Sequence, residues 1–102
     1  MKIIEKLCDM IDEELDDARK YASCALKKKE EYPHLADTFS RLSDEEMRHV
    51  SMLHAEVVSL IEMQRKEHGE PPESMMAVYN YLHERQIDKA SEIKAMQAMY
   101  KQ

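Results

Sequence analysis

The chain has 102 residues, of which 35% are charged, and its net charge is −6 at neutral pH. This length suits a single domain with one hydrophobic core. The acidic balance argues against nucleic acid as a partner. No stretch approaches the roughly 20 apolar residues that a membrane span requires, so we expect no membrane partner either.

The composition predicts an all-α protein. The chain has one Gly, three Pro and no Trp, and it is rich in Glu, Lys, Ala, Met and Leu, which favour helices. Cys8 and Cys24 would lie roughly 24 Å apart along one helix, too far for a disulfide. Two reduced thiols, together with the lack of an apolar signal segment, predict a cytoplasmic location.

The first helix is predicted over residues 2–30. Its apolar face repeats every three or four residues. That face comprises Ile4, Leu7, Ile11, Glu14, Ala18, Tyr21 and Ala25. Glu14 is the only acid in the series, and its apolar neighbours on either side predict that it points inward.

The second helix is predicted over residues 33–68, beginning at Pro33 and ending before Gly69. Its apolar face comprises Leu35, Phe39, Leu42, Glu46, His49 and Leu53. Glu46 and His49 form a Glu-x-x-His step on a face that should be buried. Because an unpaired buried polar group costs several kcal/mol, a metal ion is the simplest compensation.

The third helix is predicted over residues 73–99. Its apolar positions are Met76, Tyr79, Leu82, Ile87, Ala90, Ile93 and Met96. A hairpin of two long helices plus a third helix leaves a large apolar face uncovered. We therefore expect two copies to build a four-helix core as a homodimer, or to form a higher homo-oligomer.

The hairpin turn near residue 31 places Glu14 level with the Glu-x-x-His step. Glu14 lies about seventeen residues before the turn, and Glu46 and His49 lie about fifteen to eighteen after it. One hairpin then offers two carboxylates and one imidazole, and a dimer offers twice that set. Such a set is typical of di-iron or di-manganese sites in helical bundles.

Each candidate ligand also has a simpler interpretation. Ser43-x-x-Glu46 fits a helix capping box, although the apolar face continues upstream of Ser43. On the simpler interpretation of Glu14, it is an ordinary acid in an acidic run, at the border between the buried and the exposed side of the helix. A count of residues back through the loop without gaps favours Glu13 as the ligand from the first helix, whereas the apolar periodicity favours Glu14.

Glu13 and Glu56 are weaker candidate ligands, and Tyr21 is a candidate neighbour of the ligands. Glu56 follows His49 by seven residues and is a neighbour of the ligands, a ligand at the ion entrance or part of a salt bridge in a dimer. Tyr21 follows Glu14 by seven residues and is either a packed aromatic or a neighbour of the ligands. The remaining histidines are interpreted as solvent-facing: His34, His54, His68 and His83.

Several segments resemble the rubrerythrin and ferritin-like family. They are Ala18-Arg19-Lys20-Tyr21, the run from Lys28 to Phe39, and Glu45-Glu46-Met47-Arg48-His49. The resemblance implies iron ligation by Glu14, Glu46 and His49, with Glu46 bridging the metals. A full family member carries a second Glu and a second Glu-x-x-His step in its later helices, and this chain has neither there. It is similar in this respect to encapsulated ferritins, which complete the site across a dimer interface.

The function predicted from these residues is that of a ferritin-like protein with a di-iron, or alternatively manganese, site and ferroxidase activity. The sequence contains no Cys-x-x-Cys pair of the rubredoxin type, so we expect iron oxidation rather than the peroxide reductase activity of rubrerythrin. An alternative is a non-catalytic helical assembly or adaptor module with a structural or vestigial metal site. A third possibility is a metal-dependent oxidase acting on an organic substrate.

Overall fold

A computed structural model describes all 102 residues and contains three α-helices and no strands. The helices are α1 (Lys2–Lys28), α2 (Pro33–His68) and α3 (Glu73–Tyr100). The prediction of an all-α protein is therefore confirmed. α1 ends two residues earlier than predicted, and α3 ends one residue later. None of the three helices combines the length and apolar character needed to cross a membrane.

The two connections follow from local sequence. Pro33 opens α2, where the missing N–H of proline costs nothing, and the N–H of Tyr32 bonds to the carbonyl of Lys28 at 2.8 Å. α2 ends at Gly69, which adopts a positive φ of 79° that residues with a Cβ rarely tolerate. The short first connection makes α1 and α2 an antiparallel hairpin.

α1 is the central element of the fold. It packs extensively against α2 and less extensively against α3, whereas α2 and α3 meet at few positions. The buried stripe of α1 repeats every three or four residues. It consists of Ile4, Cys8, Ile11, Leu15, Ala18, Ala22 and Ala25. The assembly is elongated, with extents of 56 × 19 × 18 Å.

α2 buries a different face from the one expected. Its buried residues are Ala36, Ser40, Ser43, Val57 and Ile61. Each of the first three lies one residue after a member of the predicted apolar series. Leu35, from the predicted series, is 42% exposed. Small side chains let α1 and α2 approach closely near the hairpin turn, so the larger apolar residues beside them remain at the surface of the single chain.

α3 docks alongside α1 in parallel orientation. Ile93 is its buried apolar anchor, and the buried Gln86 donates a hydrogen bond to the carbonyl of Cys8 at 3.4 Å. Arg19 and Glu92 form an ion pair at 2.8 Å. Ile87, expected on the inner face, is 52% exposed, so that prediction is wrong.

Candidate metal centre

The structure brings Glu14, Glu46 and His49 together at the middle of the hairpin. One potential ligand atom from each residue lies within 4.8 Å of the others. The Nδ1 atom of His49 is 3.5 Å from Oε2 of Glu14 and 3.8 Å from Oε2 of Glu46. These three residues are the carboxylate–imidazole cluster.

Two long helices hold this cluster rigidly. Glu14 projects from α1 and the other two residues project from α2, each more than two turns from the nearest helix end. Glu46 and His49, three residues apart, share one face of α2. Side chains anchored in helix interiors are positioned more accurately than side chains on loops.

The three side chains of the cluster differ in how far they are exposed. The side chain of Glu46 is 18% exposed, that of Glu14 29% and that of His49 46%. Oε2 of Glu46 is buried and has no hydrogen-bond partner, because the 3.8 Å separation from His49 is too long for a hydrogen bond. An unpaired buried carboxylate oxygen is unfavourable. The arrangement therefore fits a cation-binding site.

The donor chemistry narrows the choice of cation. Carboxylate oxygens and imidazole nitrogen suit iron, manganese and zinc, whereas copper(I) prefers sulfur. No thiol lies in the cluster. The three donors of one chain leave further coordination positions for additional ligands.

We call the residues that surround the cluster on α1 and α2 the open face. It combines the positions of α1 and α2 that flank the buried stripe, and Tyr21 of α1 stacks on Phe39 of α2 across it with ring centroids 6.2 Å apart. The open face comprises Ile3, Leu7, Met10, Glu14, Tyr21, Leu35, Phe39, Leu42, Glu46, His49, Leu53, Leu60 and Met63. Several of its apolar members are substantially exposed, including Met10 at 40% and Met63 at 48%.

The weaker candidates lie outside the cluster. Glu13 and Glu56 are both exposed, and neither contributes an atom to the group of three. Tyr21 is half-buried against Phe39. Of the two acids between which the sequence left the choice open, the structure places Glu14 beside Glu46 and His49.

His54 and His83 are packed together rather than solvent-facing. Their rings, from α2 and α3, stack at 4.8 Å between centroids, and Tyr79 stacks on His83 at 5.7 Å. Burial, followed by the proximity of His83, lowers the pKa of His54. The sequence interpretation of these two histidines was wrong. Their facing positions only become apparent once the register of α3 against α2 is known.

An apolar cavity lies away from the cluster, at the end of the fold where α1 and α3 begin. It has a volume of about 380 Å³ and is lined mainly by apolar residues, among them Ile4, Cys8 and Leu82. Burial, reinforced by Asp12 and Asp9, raises the pKa of the Cys8 thiol. A protonated thiol is a poor nucleophile and a poor metal ligand, so these surroundings make the Cys8 thiol less reactive.

The fold and the cluster together define an all-α protein with a half-buried carboxylate–imidazole group on a helical hairpin. The rubrerythrin family model matches residues 5–102. The chain therefore belongs to the rubrerythrin family, which confirms the resemblance noted in the sequence. Comparison with the curated proteins and with the solved structures gave no match.

Proposed function

We propose that this protein binds iron at a site shared by two copies of the chain and oxidises Fe(II). Glu14, Glu46 and His49 of each copy would hold the metal. Bound iron would supply one-electron redox chemistry toward dioxygen or peroxide. The buried, unpartnered oxygen of Glu46 is the observation that carries this proposal, and membership of the rubrerythrin family supports iron as the metal.

The residues of the chain would perform three tasks at such a site. The carboxylates of Glu14 and Glu46 would offset the positive charge of the cation and so favour its entry. His49 would supply a neutral donor, since a metal binds the deprotonated imidazole. The 46% exposure of His49 would leave the metal accessible from the open face.

A second copy is the simplest complement to this arrangement. A di-metal carboxylate site in a bundle requires about four carboxylates and two imidazoles, which is twice the set in one chain. Apolar residues flank the cluster on both helices, Leu42 and Leu53 on α2 and Met10 on α1. A twofold axis through the open face would bring two clusters together and cover these residues.

An anaerobic titration tests the proposal. Purified protein is titrated with Fe(II), air is admitted, and near-ultraviolet absorbance and metal content are followed together. We expect saturation at about one iron per chain, which is two per dimer, and a rise in absorbance as Fe(III) forms. Glu46→Ala and His49→Ala should abolish both signals.

Exposed neighbours provide matched controls. Glu45→Ala and Arg48→Ala change residues in the same turn of α2 that lie outside the cluster, and both should leave binding and oxidation intact. A folded wild-type protein that binds no iron would contradict the proposal and favour a non-catalytic assembly role. Binding without oxidation would restrict the site to a structural metal.

A further inference from the structure

The structure links all three helices through one buried hydroxyl beside the cluster. Ser43 of α2 is completely buried. Its Oγ donates a hydrogen bond to the carbonyl of Ala18 in α1 at 2.7 Å and accepts one from Nε2 of Gln97 in α3 at 2.8 Å. Both the donor and an acceptor position of the hydroxyl are therefore used.

This link lies one helical turn from the cluster on both helices of the hairpin. Ser43 precedes Glu46 by three residues, about 4.5 Å along α2, and Ala18 follows Glu14 by four residues, about 6 Å along α1. Because the hairpin is antiparallel, both displacements run toward the hairpin turn. The hydroxyl therefore ties α1 to α2 at the level next to Glu14 and Glu46.

Apolar packing alone defines the register of this region weakly. Between the link and the hairpin turn the interior residues are small: Ala22, Ala36 and Ser40 are all buried, and Leu15 on the other side of Ala18 is the nearest large buried side chain of α1. Small side chains form shallow knobs that allow one helix to slide past another. A single buried polar contact is a known means of fixing helix register, at some cost in stability.

The end of α3 is held on both helices of the hairpin near this link. Nζ of Lys101 lies 3.3 Å from Asp44, the residue after Ser43. Lys29 donates to the carbonyl of Tyr100 at 2.6 Å. Gln97 is therefore presented to Ser43 from an anchored helix, although α3 contributes no atom to the cluster.

We propose that Ser43 is a positioning residue whose hydroxyl, held by Gln97, fixes the register at which Glu14 meets Glu46 and His49. This role rests on the proposed metal-binding function. α3 then acts on the site indirectly, by keeping the Ser43 hydroxyl directed at the carbonyl of Ala18. A shift of α1 against α2 by a fraction of a turn would separate ligands that come from different helices.

Co(II) titration of the whole protein tests this role, because Co(II) is stable in air and its visible absorption reports coordination. Ser43→Ala should weaken Co(II) binding about 10-fold or more, the range found when groups that orient metal ligands are removed, and should change the visible spectrum. Gln97→Met should act in the same direction. The double variant should lose no more than the larger single loss, because both residues act through one link.

Ile61→Val is the control for stability. Ile61 is buried in α2 about 18 Å from His49, and its substitution removes one methylene from the core without touching the link. Its melting temperature should fall about as far as that of Ser43→Ala, while its Co(II) affinity stays at the wild-type value.

Three results would overturn the inference, and they are distinguishable. Wild-type protein that is folded and binds no Co(II) would refute the metal-binding function itself. Wild-type protein that binds Co(II), together with a Ser43→Ala variant of unchanged affinity and spectrum, would leave that function intact and refute the positioning role. An equal loss of affinity in Ile61→Val would also refute it, since the effect would then follow from stability alone.

Discussion

The imidazole Nδ1 of His49 lies 3.5 Å from a carboxylate oxygen of Glu14, which places a donor from α2 against a donor from α1. The hairpin geometry produces this meeting, because Glu14 lies about seventeen residues before the turn near residue 31 and His49 lies about eighteen after it. Glu46 completes the group within 4.8 Å.

Glu14 and its neighbour Glu13 form a matched pair for testing the ligand assignment. Glu14→Gln should reduce metal affinity by at least about 10-fold, because a neutral amide is a far weaker ligand than a carboxylate. Glu13→Gln should have little effect, since Glu13 is exposed and outside the cluster. Isothermal titration with Mn(II) measures both, and the reverse ranking would assign the ligand role to Glu13.

Glu46→Leu should have opposite effects on stability in the absence and presence of metal. Without metal, removing an unpaired buried carboxylate should raise the free energy of unfolding by about 1–3 kcal/mol. With Mn(II) at about 100 times its Kd, the free energy of unfolding of the wild type should rise by about 2.7 kcal/mol. That of the variant should not rise. Urea denaturation measures both states.

The control for that comparison is Glu45→Leu, at an exposed position one residue away. It should change neither the metal-free stability nor the gain on adding Mn(II). A Glu46→Leu variant that is less stable than the wild type in metal-free buffer would mean that the carboxylate already has a stabilising partner.

Leu42→Gln should weaken self-association through the open face. Leu42 lies one turn before Glu46. In a twofold dimer the interface contains the substituted residue twice, once from each copy. We expect the dimer dissociation constant to rise about 10-fold or more, equivalent to about 1.4 kcal/mol. Sedimentation equilibrium measures it. Met99→Gln, at a 57% exposed position on α3, should leave association unchanged, and equal effects of the two substitutions would argue against this face.

His54 should make the protein less stable as pH falls. Its pKa in the folded protein is lowered from the ordinary value of 6.5 by burial and by His83, so the unfolded chain takes up the proton first. The stability that neutral His54 contributes is fully present above pH 6.5 and is lost as the pH falls through the folded-state pKa. Melting temperatures at pH 7.5 and 5 should differ less in His54→Gln than in the wild type, whereas the exposed His34→Gln should behave like the wild type.

The sequence was sufficient to predict the hairpin and the grouping of its polar residues. Pro33 and Gly69 set the two ends of α2 through local steric effects. Glu14 and Glu46 lie at a similar level of the hairpin because they are about equally far from its turn. These are short-range constraints that periodicity and turn chemistry express directly.

Hydrophobicity misidentified the inner face of α2. Leu35 and Phe39 are more apolar than Ala36 and Ser40, yet the smaller pair is buried because it lets the helices approach closely. α3 is anchored by the buried Ile93, which the apolar pattern predicted, and also by polar contacts from Gln86 and Gln97, which that pattern does not register.

The most direct test of the account is native mass spectrometry of the protein after anaerobic loading with Fe(II). One measurement then counts chains and metal ions in the same particle. We predict a species with two irons for every two chains, and its loss in the Glu46→Ala variant. A monomer that retains iron, or a metal-free dimer under the same loading, would contradict a site that two copies of this chain complete together.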